Sequence, residues 1–178
     1  GVYIDCDVVM VNPVLDLSTK KQDSTGKLIP VFGEETSYSL SNGFIMSPPN
    51  NNFLKRLYWE YQHYDQSLGF GTFSVINDWA MWRKHPSEVH VVKKRMYRPN
   101  AHEAGYLFNC LIDWRKQYVV HLNHKMFKKW FNTKNHALTL DEVATANSTL
   151  GEISRYVLWG DYHPRRQDCT SDRPIQNV

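Results

Sequence analysis

Asp5 and Asp7 flank a single residue, Cys6, inside a stretch that is otherwise apolar from Val2 to Val11 and stops at Pro13. Read as one buried β-strand, the stretch places Tyr3, Asp5 and Asp7 on one face and Val2, Ile4, Cys6 and Val8 on the other. Carboxylates two residues apart on a strand face stand about 6.5–7 Å from each other. Their repulsion in an apolar setting is costly unless positive charge offsets it. A divalent cation does so, and hard oxygen ligands suit Mn²⁺ or Mg²⁺. Such an ion keeps positions open for substrate phosphates and offsets charge on a diphosphate leaving group. The plainer alternative is a pair of surface acids satisfied by Lys, Arg or backbone donors. Cys6, facing away, reads as a small apolar core residue.

Further residues carry weaker signals. His121 ends the apolar run Val119-Val120 and is either a hydrogen-bonded core histidine or a metal ligand. His124 sits an odd step away and faces elsewhere. Asn42, before Gly43, is either a turn former or a ligand contact. Asp78 reads as an exposed helix acid or as a group orienting a substrate hydroxyl. Tyr3, Gly71 and Thr72 complete the candidate ligand-contacting set. Gly69 and Gly71 suit a turn, or a hinge closing over a ligand. Trp79 and Trp82 share a helix face, for core packing or for stacking on a sugar. No Ser-His-Asp or Cys-His set, paired-cysteine zinc spacing, P-loop or dinucleotide fingerprint is found.

The elements that must position these groups alternate in type. Strands are expected over Val2–Val11, Leu28–Phe32, Tyr38–Met46 with a bend at Asn42-Gly43, Glu88–Val92 and Tyr118–Leu122. A helix should follow Ser47-Pro48-Pro49-Asn50-Asn51-Asn52 and run from Phe53 to Asp65, burying Phe53, Leu54, Leu57, Tyr58 and Tyr61. Gly69-Phe70-Gly71-Thr72 reads as a loop and Phe73–Arg83 as a second helix. Arg98-Pro99-Asn100 reads as a turn. Thr139-Leu140-Asp141-Glu142 is a capping box opening a further helix. The class is therefore α/β, with one domain over 1–160 and a polar tail over 161–178. A strand as apolar as the first needs neighbours on both edges, so further residues are expected before Gly1.

The 178 residues hold 42% hydrophobic and 22% charged residues, a globular composition. A net charge of +3 gives no dense basic stripe, so nucleic acid is not an expected partner. Basic clusters at Lys93-Lys94-Arg95, Lys125, Lys128-Lys129 and Arg165-Arg166 suit a solvated surface or a rim for phosphates and anionic glycans. Three cysteines do not make a disulfide scaffold. A Cys110–Cys169 bridge is compatible with an oxidising compartment. No run nears the roughly 20 apolar residues of a membrane span, and no signal peptide is visible. Asn147-Ser148-Thr149 is an N-glycosylation sequon.

Gly1-Val2-Tyr3-Ile4-Asp5-Cys6-Asp7-Val8, with its apolar tail and Pro13, resembles the sugar-binding DXD glycosyltransferases of the α-1,4-galactosyltransferase and initiating α-1,6-mannosyltransferase type. Ser41–Ser47, Phe53–Tyr64 and Val119-Val120-His121-Leu122 look like the family's following strand, helix and late strand. Gly71-Thr72-Phe73 stands where the family has Thr-Gly-Pro, and the proline is missing. The resemblance implies a GT-A fold, Rossmann-like, without its N-terminal nucleotide-binding half. It implies a metal-dependent, retaining hexosyl transfer from a UDP-sugar or GDP-mannose donor to a glycan, glycolipid or glycoprotein acceptor. Asp7 would ligate the metal, Asp5 would contact the donor's ribose or sugar or reach the metal through water, and His121 would be a further ligand. Location would be the Golgi or secretory lumen in a eukaryote, or the cytoplasmic face of a bacterial membrane, with any anchor outside this sequence. Two alternatives stand beside it. One is a non-catalytic sugar-nucleotide or glycan-binding module of the same fold. The other is a phosphohydrolase of the haloacid dehalogenase type, which expects Gly-Thr soon after the second acid where Val8-Val9 stand here.

Overall fold

A computed structural model describes residues 1–19, 21–69, 71–97, 100, 103–123 and 139–161. His124, Lys125, Lys128-Lys129, Arg98-Pro99, Cys169 and nearly all of the expected tail lie outside these residues. The expected first strand is two strands, β1 (Val2–Ile4) and β2 (Val8–Met10), separated by a turn at Asp5-Cys6-Asp7. Val2, Tyr3 and Ile4 are exposed, so the element is not a buried central strand. Hydrophobic continuity misled here, because a closely spaced carboxylate pair favours a solvated turn over a place inside a sheet. Cys6 sits in that turn as an exposed free thiol, not in the core.

β1 joins a four-stranded mixed sheet with β3 (Val31–Thr36), β4 (Ser39–Met46) and β5 (His90–Val92), in the order β1-β4-β3-β5. β1 and β3 run antiparallel to β4, while β5 runs parallel to β3. β2 pairs antiparallel with β6 (Val119–His121) in a separate ribbon. The expected bend at Asn42-Gly43 is a bulge. Phe32 pairs with Ile45 and the next residue, Gly33, with Ser41, leaving 42–44 without partners in β3.

The helices take several boundaries the sequence did not indicate. After the short α1 (Leu15–Thr19), α2 (Asn52–Tyr61) starts under an Asn51 cap whose side chain accepts from the Leu54 N–H at 3.2 Å. It stops before Asp65, because Gln62, His63 and Tyr64 close tight turns and Asp65 caps the one-turn helix Gln66–Leu68. Gly71 is helical rather than a loop residue and leads into a wide π-type turn, Thr72–Ile76. Only then does α3 (Asn77–Lys84) begin. α4 (Gly105–Asn109), α5 (Leu140–Thr145) and α6 (Thr149–Trp159) complete the α-helices among the described residues. The expected capping box is formed at Thr139 and Glu142.

Alternation along β3 and β4 splits the core. Phe32, Leu40 and partly buried Ile45 face Phe53 and Leu57 of α2, with Trp79 and Trp82 of α3 packed against them. Core packing is thus the role of both tryptophans. Val31, Phe44, Met46 and Val92 face the other way, toward Val8, Met96, Tyr97 and Val119. A third cluster, with Val11, Leu107, Trp114, Val120 and Ile153, fastens α4 and α6 to the β2–β6 ribbon. The fold is mixed α/β, as the alternation of elements implied.

Candidate metal centre

The Asp5–Asp7 turn bridges the two sheets. The Asp5 N–H donates to the Gly43 carbonyl at 2.8 Å, tying it to the β4 bulge. The Asp7 carbonyl accepts from Leu122 N–H at 2.8 Å, tying it to the end of β6. The Val8 N–H closes the turn on the Asp5 carbonyl at 3.1 Å. Gly43 serves this arrangement through its missing side chain, since a Cβ there would stand 3.1 Å from Asp5 Oδ2.

β6 delivers the third group. Pairing of Val8 with His121 sets the imidazole beside the turn, with Nε2 3.3 Å from Asp7 Oδ1. Asp5, Asp7 and His121 each offer a ligand atom, all within 4.8 Å of one another, and all three residues are half-buried. His121 Nδ1 is enclosed and has no hydrogen-bond partner among the described residues. Two carboxylates and an imidazole, partly shielded from water, match the donor set of a Mn²⁺ or Mg²⁺ site. Asp5 and Asp7 therefore converge through a turn and not through a shared strand face.

Tyr3 and Tyr97 border the cluster. The Tyr3 hydroxyl donates to Asp5 Oδ1 at 2.6 Å, and this bond raises its pKa above the ordinary tyrosine value. Tyr97 is completely buried, with its ring 6.0 Å from the His121 ring in an edge-on contact. Its φ of 57° is unusual for so large a side chain. Nothing in the residue's sequence context marks Tyr97 for this place.

Asp78, one of two readings of which was an exposed acid, is completely buried at the start of α3. Burial pushes its pKa up to about 8. Neither carboxyl oxygen makes a well-formed hydrogen bond among the described residues. The Tyr61 hydroxyl lies near enough to oppose that shift without cancelling it. Burial, followed by the Asp78 charge, moves Tyr61 itself up to about 12. Asn42 Nδ2 donates to the Tyr61 hydroxyl at 3.2 Å. Asn42, Tyr61 and Asp78 thus form a second polar group, held by the β4 bulge, α2 and α3. Thr72 spends its hydroxyl on its own turn, donating to Leu68 O at 2.6 Å. Gly71 takes ordinary helical torsions. Neither residue joins the acid cluster.

No family model matches the chain, and no solved structure matches it. The chain is similar to glucan organizing enzyme 1 of Cryptococcus neoformans var. grubii serotype A. The two are 29% identical over 105 residues, which is 54% of this chain and 27% of that protein. The chain thus aligns with little more than a quarter of that relative's length.

Proposed function

We propose that the chain carries the metal- and diphosphate-binding part of a glycosyltransferase with a GT-A fold. It would transfer a hexose from a UDP-sugar or GDP-mannose donor to a glycan, glycolipid or glycoprotein acceptor, with retention of configuration. One observation carries the reading, the convergence of Asp5, Asp7 and His121 within 4.8 Å at the junction of two sheets. The name of the similar Cryptococcus protein, which refers to glucan, agrees with a carbohydrate substrate.

Asp7 and His121 would hold Mn²⁺ or Mg²⁺, with Asp5 as a further ligand or as the group that orients the donor's ribose or sugar. A bound divalent cation supplies positive charge to the departing nucleotide diphosphate. Tyr3 restrains the Asp5 carboxylate through its hydrogen bond. Asp78, held protonated at neutral pH by its burial, would position an acceptor hydroxyl through Tyr61 and Asn42.

The test is transfer from UDP-sugar and GDP-mannose donors by the full-length protein with added Mn²⁺. Asp5→Asn and Asp7→Asn should each lower turnover by at least about 100-fold with unchanged circular dichroism. Full metal-dependent turnover in either variant would falsify the assignment. Donor binding without transfer in the parent protein would favour a non-catalytic module.

A further inference from the structure

The sequence has one Asn-x-Ser/Thr tripeptide, Asn147-Ser148-Thr149, and the proposed transfer reaction makes no use of it. Asn147 lies exposed in the short link between α5 and α6. Among the described residues its carboxamide has no hydrogen-bond partner. An oligosaccharide there would extend into solvent.

The two residues that follow are placed very differently. Ser148 is buried and caps α6, its hydroxyl accepting from the Gly151 N–H at 3.2 Å. Thr149 is completely buried. Its hydroxyl donates to the Cys110 carbonyl at 2.7 Å and accepts from the Ile112 N–H at 3.0 Å. Its own N–H also bonds the Cys110 carbonyl, at 2.8 Å. Cys110 is disulfide-bonded, which is independent of the sequon and points to the same oxidising compartment.

We propose that Asn147 carries an N-linked oligosaccharide, attached before Thr149 closes onto Cys110. The sequon is read through its third residue, and the finished fold encloses that hydroxyl on both its donor and acceptor sides. Transfer must therefore precede closure of this corner. The co-reactant is a lipid-diphosphate-linked oligosaccharide. The Asn147 amide nitrogen bonds to C1 of its first sugar, the C1–O bond to the diphosphate breaks, and the lipid diphosphate leaves with the electron pair. The displaced amide proton passes to base. Folding and glycosylation then compete for Thr149, and the Cys110 disulfide favours folding.

The test takes the full chain from the cells that make it and treats it with peptide N-glycosidase. A drop in apparent mass is expected, with the Asn147 peptide recovered bearing a carboxyl in place of its amide. Asn147→Gln and Thr149→Ala should abolish the mass change. Ser148→Ala, which removes the helix cap and spares the sequon, should keep it. Cys110→Ser should show occupancy equal to or above that of the parent. The readout is a peptide mass and does not depend on whether a variant folds. An unmodified Asn147 in the parent chain, or a mass change that persists in Asn147→Gln, would overturn the proposal. Lower occupancy in Cys110→Ser would overturn the order of events.

Discussion

Asp78 shows how far a residue's surroundings can depart from what its type suggests. An acid near a helix N-terminus reads as exposed, because Asp is among the residues least often buried. Here desolvation moves its pKa from 3.8 to about 8. The sign follows from the raised folded value. The carboxyl contributes stability that is fully present below pH of about 4 and is lost as pH rises through about 8. Within that window the loss approaches about 1.4 kcal/mol per pH unit. Urea unfolding between pH of about 5 and about 8 should show this decline, and Asp78→Asn should flatten it. An unchanged slope in the variant would mean that the acid is solvated in the folded chain. Asp5, Asp7 and His121 were legible because their chemistry is particular to few residue types. Tyr61 was legible only as part of the buried face of α2; its bond from Asn42 and its nearness to Asp78, like the place of Tyr97, come from contacts between distant residues, which no spacing encodes.

Among the elements, the decisive feature is the break between β1 and β2. An apolar run with an acid pair is compatible with one strand or with two strands and a turn, and periodicity does not choose between them. Pairing chooses, because β1 finds β4 while β2 finds β6. The β4 bulge and its partner β3 then shape the site from beneath. At Gly33 a Cβ would overlap the Tyr97 ring, the same ring that packs edge-on against His121. Gly33→Ala should cost about 1–3 kcal/mol by overpacking, measured by denaturant unfolding, and should weaken Mn²⁺ binding by displacing the ring. A variant as stable as the parent would show that Tyr97 has room to move. The Asn51 and Thr139 caps, by contrast, were readable because each uses a short-range hydrogen bond between neighbouring residues.

Across the whole molecule, the α/β class was legible from alternating elements, but the joining of its parts was not. α6 is coupled to the β6 side of the site through Glu152, which accepts from Trp114 Nε1 and Arg115 Nη1, each at 2.9 Å. Glu152 and Arg115 are 3% and 11% exposed, so the pair is largely desolvated. Glu152→Ala should cost about 2–3 kcal/mol by removing the buried acceptor of two hydrogen bonds, and thermal unfolding would register it. These partners lie 37 and 38 residues apart in sequence, beyond any local pattern. A cation held at the sheet junction would stabilise the chain as a unit. At a hundred times its Kd it should add about 2.7 kcal/mol, a rise in Tm of roughly 5–10 °C. The most direct measurement of the central claim is Mn²⁺ titration of the full chain, with free ion followed by electron paramagnetic resonance, beside Asp7→Asn and His121→Ala. One saturable site is predicted, weakened at least about tenfold in each variant, a loss of about 1.4 kcal/mol. Equal Mn²⁺ affinity in all three proteins, or no binding to the parent, would contradict the account.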